Sequence, residues 1–176
     1  ISERAILGQN LHVGDFVKAT GEYRSYNKLQ DERSRLILHL FAKDLCVLSA
    51  EQQQGNLYVN EVKLVGYVCK EPTYRKTPFD REICDVLLAV NRPNFHKSDY
   101  VPCIMWGLNA RFMASQSIGC KVELVGRIQS REYTKTLPND EVEKKTAYEV
   151  SCQRIAIISN VANMQPQNQE RNKDII

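Results

Sequence analysis

The sequence predicts an all-β chain: a five-stranded barrel with one short helix, preceded by part of a second, similar unit. Three observations carry this. Short runs rich in Val, Ile, Leu and Tyr recur between polar or Gly/Pro clusters, as strands bounded by turns do. One stretch, Leu108–Gln116, instead spaces Leu108, Phe112 and Met113 as a helix would. Finally, a segment near the start of the chain returns, altered, near residue 120.

In chain order, strands are expected near Glu61–Cys69, Ile83–Asn91, Val101–Trp106, Lys121–Tyr133 and Thr146–Ile158, with the helix between the third and fourth. That is the order of the OB barrel, a small Greek-key barrel of five strands. The repeat concerns only its back half. Val13–Ser25 lines up with Ile118–Ser130, with glycines seven apart in both, Gly14/Gly21 and Gly119/Gly126. Leu38–Ser49 then matches Tyr148–Ser159, the offset having grown from 105 to 110 residues. Residues 1–58 therefore read as a partial OB-like unit, a helix end plus the last two strands of a truncated barrel. Residues 59–159 read as the complete barrel, and 160–176 as a polar tail or linker. Two strands alone rarely make a stable unit. The chain opens on Ile1 rather than Met, so the missing strands are expected upstream. The competing explanation is that two hairpins share glycine placement by chance.

Composition excludes several classes. With 176 residues, 43% of them hydrophobic and 26% charged, the chain is an ordinary globular length. No apolar run approaches the roughly 18 residues of a membrane span, no secretory leader is visible, and the reduced state expected of the cysteines favours a cytoplasmic protein. The net charge is +3, and the excess lies in residues 61–159, with fifteen basic and twelve acidic side chains. Cys46, Cys69, Cys84, Cys103, Cys120 and Cys152 form no CxxC pair, and His12, His39 and His96 stand apart, so zinc-ligand spacing is absent. Mostly embedded in apolar runs, the cysteines read as small reduced hydrophobes. No nucleophile elbow, P-loop or HExxH occurs. An enzyme, a metal and a cofactor are all unexpected.

The pattern that points to function is a stripe. Arg127, Gln129, Arg131 and Tyr133 alternate with Val122, Leu124, Gly126 and Ile128. A strand of period two places the first set on one face and the apolar set on the other. An exposed face alternating guanidinium and aromatic ring suits a single nucleic-acid strand, whose phosphates attract cations and whose bases stack on flat surfaces. Tyr100 and Trp106 lie six apart and so share a face, opposite Val101, Cys103 and Met105. They are either a stacking platform or core aromatics, since Trp is usually well buried. Pro102, on the same face, implies an edge, a bulge or a local break. Two loops are expected beside this surface. One runs Asn91–Lys97 with Arg92, Phe95 and His96. The other runs Thr73–Pro78 with Tyr74, Arg75 and Lys76. They either close over a bound strand or are plain solvated connections.

Residues 60–159 resemble the bacterial single-stranded DNA-binding protein (SSB) family. The matching segments are NEVKLVG (60–66), EPTYR (71–75), Thr77–Pro78, LAVNRP (88–93), Asp99–Tyr100, Cys103, Trp106, Gly119 and VGRIQSREY (125–133). The resemblance implies the OB barrel and sequence-independent binding and protection of single-stranded DNA in replication, recombination or repair. It puts the base-stacking rings at Tyr100, Trp106, Tyr133 and Phe95, and backbone contacts near Arg92, Arg127 and Arg131. It also implies a nucleoid-associated homo-oligomer, a dimer if each intact chain carries two barrels and a tetramer otherwise. Three departures stand out: the one-and-a-half-barrel layout, Pro102 in place of a polar residue, and an ending of Asn172–Ile176 where the family's acidic partner-recruiting tip is usual. Replication and repair partners are thus expected only if that tip exists. In the first copy, Glu22 replaces Arg127 and Arg24 replaces Gln129, so weaker DNA binding or an assembly role is expected there. The rival readings are an accessory OB module mediating protein contacts in a primosome or plasmid/phage replication complex, and an RNA-binding barrel.

Overall fold

The computed structural model describes residues 10–30, 33–52, 59–93, 96–136 and 142–159. Phe95, residues 1–9 (where the helix end of the first unit was expected) and the tail from Asn160 fall outside them. Eight strands and a helix are described: β1 Val17–Gln30, β2 Arg33–Val47, β3 Val62–Val68, β4 Thr73–Lys76, β5 Glu82–Asn91, β6 Ser98–Trp106, α1 Leu108–Ala114, β7 Lys121–Thr136 and β8 Val142–Ser159. β1 and β2 form a hairpin of their own, and the other six strands run β3-β7-β8-β6-β5-β4.

That second sheet is a closed barrel. β3 pairs with β7 along one edge and with β5 through Tyr67↔Ala89 and Val68↔Leu88 on the other. The closure between β6 and β8 is parallel and has two registered pairs, Cys103↔Val150 and Ile104↔Ser151. Period-two alternation supplies the core: Leu64 and Val68 on β3, Val86 and Leu88 on β5, Val101, Cys103 and Met105 on β6, and Val122 and Leu124 on β7 are all buried. Ala110 and Met113 of α1 join them. Fully burying a side chain the size of Leu or Met contributes roughly 1.5–3 kcal/mol. Among the described residues all six cysteines are free thiols, four of them buried. Burial raises the thiols of Cys84 and Cys152 to about 11, so both stay protonated and unreactive near neutrality.

Four differences from the sequence reading have physical causes. The segment Thr73–Lys76, expected as loop, is strand β4, registered from Thr73↔Asp85 to Lys76↔Glu82. All four of its residues are exposed, so no buried–exposed alternation marks it, and cross-strand side-chain bonds hold it. β7 runs on to Thr136 and β8 begins at Val142, so this hairpin extends past the barrel as an arm. β6 begins at Ser98 rather than Val101. Pro102 causes no break: it precedes the first β6–β8 pair, and the carbonyl of Leu87 opposite it accepts the Cys69 N–H at 3.1 Å instead.

The repeat has a geometric counterpart. β1–β2 carries a bulge between Thr20 and Gly21, and β7–β8 one between Val125 and Gly126. Gly21 faces Ala42 and Gly126 faces Cys152, which preserves both sequence offsets. At each bulge the opposing backbone comes so close that a Cβ would lie 2.1 Å from the Phe41 carbonyl oxygen, or 2.2 Å from that of Ser151. Only glycine fits there. The turn before each hairpin also recurs, with Asp15 N–H donating to the His12 carbonyl and Cys120 N–H to that of Ser117, both at 3.2 Å.

Candidate nucleic-acid interface

The bulge at Gly126 and the β7–β8 register place Arg127 opposite Ser151, Gln129 opposite Glu149, Arg131 opposite Ala147 and Tyr133 opposite Lys145. The apolar set points inward, with Val122, Leu124 and Gly126 buried and Ile128 half-buried. Arg127, Arg131 and Tyr133 are exposed. β6 continues this outer face. Tyr100 and Trp106 are 43% and 37% exposed, whereas Val101, Cys103 and Met105 between them are fully or almost fully buried. The two aromatics therefore lie on the outside, and the core alternative is not what the fold adopts. The Trp106 indole N–H donates to the Ser151 hydroxyl at 3.2 Å. Because Ser151 faces Arg127, a ring and a guanidinium are set in one row across β6, β8 and β7. Among the described residues Arg127 has no hydrogen-bond or ion-pair partner.

The other cations are differently employed. Glu149, 4% exposed, accepts from Gln129 at 2.9 Å and from Arg131 at 3.3 Å. Arg131 also lies 5.7 Å from the centroid of the Tyr133 ring, within cation–π range. Glu149 thus braces the stripe from behind and offsets one of its charges. Arg75 bonds Asp85 at 2.8 and 3.3 Å, Lys76 pairs with Asp80 at 2.9 Å, and the Tyr74 hydroxyl donates to Glu82 at 2.6 Å. Glu82 also accepts from Arg111 at 2.7 Å, and the Tyr74 and Arg111 bonds together lower its pKa. The three β4 side chains expected at this surface are therefore all bonded to carboxylates of β5 or of the turn before it. A phosphate would have to displace a carboxylate to reach Arg75 or Lys76.

Arg92 has the most distinct placement. Its guanidinium makes two bonds to Asp99, at 2.8 and 2.5 Å, and a third to the Ser25 carbonyl at 3.2 Å. Asp99, 3% exposed, also accepts the Ser25 N–H at 2.6 Å, while the Ser25 hydroxyl accepts the Tyr100 N–H at 2.7 Å. Burial raises the Asp99 pKa, but Arg92 and the Ser25 N–H outweigh it and hold the carboxyl below its usual range. Arg92 is thus a bolt between the barrel and β1. Beside the bolt, Tyr23 packs onto the barrel core, and burial raises its hydroxyl pKa to about 12. Sequence reasoning missed Ser25, Tyr23, Asp99 and Glu149 as contributors. Glu149 joins the stripe's face only through the β7–β8 register, which sets it opposite Gln129.

Among the described residues no cluster of His, Cys, Asp and Glu could hold a metal ion, and no helix is long and apolar enough to cross a membrane. Barrel and face together define an OB-fold module with an aromatic and basic outer surface.

Residues 59–158 match the model of the single-strand binding protein family, and the chain belongs to that family. Single-stranded DNA-binding protein 3 of Streptococcus agalactiae serotype V is 29% identical over 121 residues, spanning 65% of this chain and 84% of that protein. The single-stranded DNA-binding protein of Enterococcus faecalis is 31% identical over 109 residues, which is 58% of this chain and 55% of the relative's length. In fold, the chain is similar to wild-type single-stranded DNA binding protein from Thermus aquaticus, with a TM-score of 0.63 at 19% identity over 93% of this chain and 67% of that one. A deletion mutant of the Thermus protein gives 0.69 at 17% identity, over 90% of this chain and 66% of that one.

Proposed function

We propose that this protein binds single-stranded DNA without reading its sequence, through the outer face of β6, β8 and β7. The observation that carries this is the row of exposed Trp106, buried Ser151 and Arg127, which has no partner among the described residues, continued by Arg131 and Tyr133, in a barrel of this family. Tyr100, Trp106 and Tyr133 stack on bases, each contributing roughly 1–3 kcal/mol. Phe95 belongs to the same set by resemblance. Arg127 meets phosphate directly, Arg131 shares itself with Glu149, and Arg92 fixes the first hairpin rather than the backbone of the DNA. Arg75, Lys76 and Tyr74 flank the path as paired groups.

We further propose that residues 1–58 are the back half of a second OB unit, a reading supported by the matched bulges at Gly21 and Gly126. A homo-oligomer, a role in replication, recombination or repair, and a nucleoid-associated cytoplasmic location accompany this reading by family resemblance.

Trp106 is the chain's single tryptophan, which makes the test direct. Oligo-dT should quench its emission, and Trp106→Ala should weaken binding while the far-UV spectrum stays unchanged. Binding by electrophoretic retardation without any quenching would remove Trp106 from the interface.

A further inference from the structure

Between the first hairpin and the β7–β8 arm lies a groove of about 1030 Å³. Leu36 and Leu38 of β2 line one side, Arg131 and Tyr133 of β7 the other, Leu87 and Pro102 the floor. Lys70 also lines it, and among the described residues it has no ion-pair or hydrogen-bond partner. The groove is a built feature rather than a gap between loose parts. The hairpin that forms one wall is bolted down by Asp99, Arg92 and Ser25, and Tyr23 seats it against the core.

We propose that this groove is an additional nucleotide-binding subsite, in which the first hairpin acts as a wall for the strand held by the second. The inference rests on the single-stranded DNA reading given above. Its occupant follows from continuity, since Arg131 and Tyr133 belong both to the stripe and to the groove. A strand leaving Trp106 along the stripe passes between Tyr133 and the methyl groups of Leu36 and Leu38. Bases are flat and apolar on their faces, so a ring on one side and aliphatic side chains on the other suit them. Lys70 supplies charge for an accompanying phosphate and Arg131, shared with Glu149, part of another, although Glu71, Asp85 and Glu143 also line the groove. The first copy thus contributes through its apolar face, although the face equivalent to the stripe carries Glu22.

The test moves the fluorescent reporter. In a chain carrying Trp106→Phe and Leu36→Trp, the indole at position 36 is the sole tryptophan. Addition of oligo-dT should quench it, saturating at the oligonucleotide concentration that saturates electrophoretic retardation. Retardation with unchanged emission would overturn the subsite while leaving the parent reading intact. Absence of retardation in the unsubstituted protein would sink the parent reading itself. Emission that changes with protein dilution in the absence of DNA would assign the groove to a second copy of the chain and likewise overturn the proposal. If the double variant fails to fold by far-UV circular dichroism, Lys70→Ala decides. Its log–log salt slope should be smaller by about 0.7, the value of one phosphate contact on a single strand. An unchanged slope would overturn the subsite.

Discussion

The hairpins β1–β2 and β7–β8 share a bulge, a preceding turn and a register, yet their outer faces do opposite things. On β7, Arg127 stands open. At the matching place on β1, Glu22 bonds Arg24 at 2.9 and 2.7 Å and also Lys43, and these partners, Lys43 first, lower its pKa. Arg24 in turn lies 3.9 Å from the centroid of the Phe41 ring. Where Arg131 stands on β7, β1 has Tyr26, which is spent edge-on against His39 at 5.5 Å. One face leaves Arg127 without a partner among the described residues, and the other satisfies its own charges and rings. The backbone pattern is set by two glycines. The character of the face is set by four or five side chains that can change without disturbing it.

Four experiments sharpen or break this comparison. The largest effect is expected from the bulges. Gly126→Ala drives a methyl group into the Ser151 carbonyl, and overpacking of this kind costs on the order of 1–3 kcal/mol or more. The thermal midpoint of the barrel should fall and DNA binding with it. Gly21→Ala meets an equal clash at Phe41 but should loosen only the first hairpin. Equal loss of barrel stability in both variants would mean that the hairpins are not separable.

Next comes the stacking platform. Trp106→Ala should weaken oligo-dT binding by roughly 1–3 kcal/mol, while Tyr26→Ala on the first hairpin leaves titrations unaltered. Matching losses would erase the distinction between the faces. A third effect concerns the bolt. Because the folded-state pKa of Asp99 is lowered, its contribution is present above the unfolded value near 3.9 and fades as pH falls through the folded value. The protection factors of the Ser25 and Tyr100 amides against hydrogen exchange should therefore fall in acid. Asp99→Asn should abolish that dependence and cost on the order of 1–3 kcal/mol at pH 7. Amides indifferent to both changes would show that the bolt holds nothing. The smallest effect is Arg127→Ala, which should lower the salt slope by about 0.7. Arg131→Ala should lower it by less, since Glu149 already offsets that charge.

The outline of this arrangement was legible in the sequence where a single strand's periodicity decides it. The parity of Tyr100 and Trp106 against Val101, Cys103 and Met105 is one case, and the stripe from Arg127 to Tyr133 is another. The seven-residue spacing of both glycine pairs announced the repeat, though not the bulge that Gly21 and Gly126 each occupy. What the sequence concealed were partners set by register and packing. Ser25 and Asp99 lie 74 positions apart, and nothing local in either predicts the other. Arg92 looked like a free loop cation because its acceptors come from β6 and β1. Tyr74, Arg75 and Lys76 looked like loop residues because β4 exposes every side chain. Glu149 disappeared among scattered acids until the Gln129↔Glu149 register was known.

The parallel seam between β6 and β8 has a dynamic consequence. The barrel is closed along two short seams, the parallel β6–β8 seam with Cys103↔Val150 and Ile104↔Ser151 and the antiparallel β3–β5 seam with Tyr67↔Ala89 and Val68↔Leu88. Local opening follows the path with the fewest bonds to break. The cylinder should therefore breathe at its short seams, the β6–β8 slit among them, as a ring does at its clasp, before it melts. Trp106 hangs from Ser151 beside the slit, and Tyr23 packs onto the core it closes. A strand of DNA lying across β6 and β8 would bridge the slit like a suture. Its binding should slow amide exchange at Ile104 and Ser151 more than at Val68 and Leu88 of the β3–β5 seam, which it does not cross.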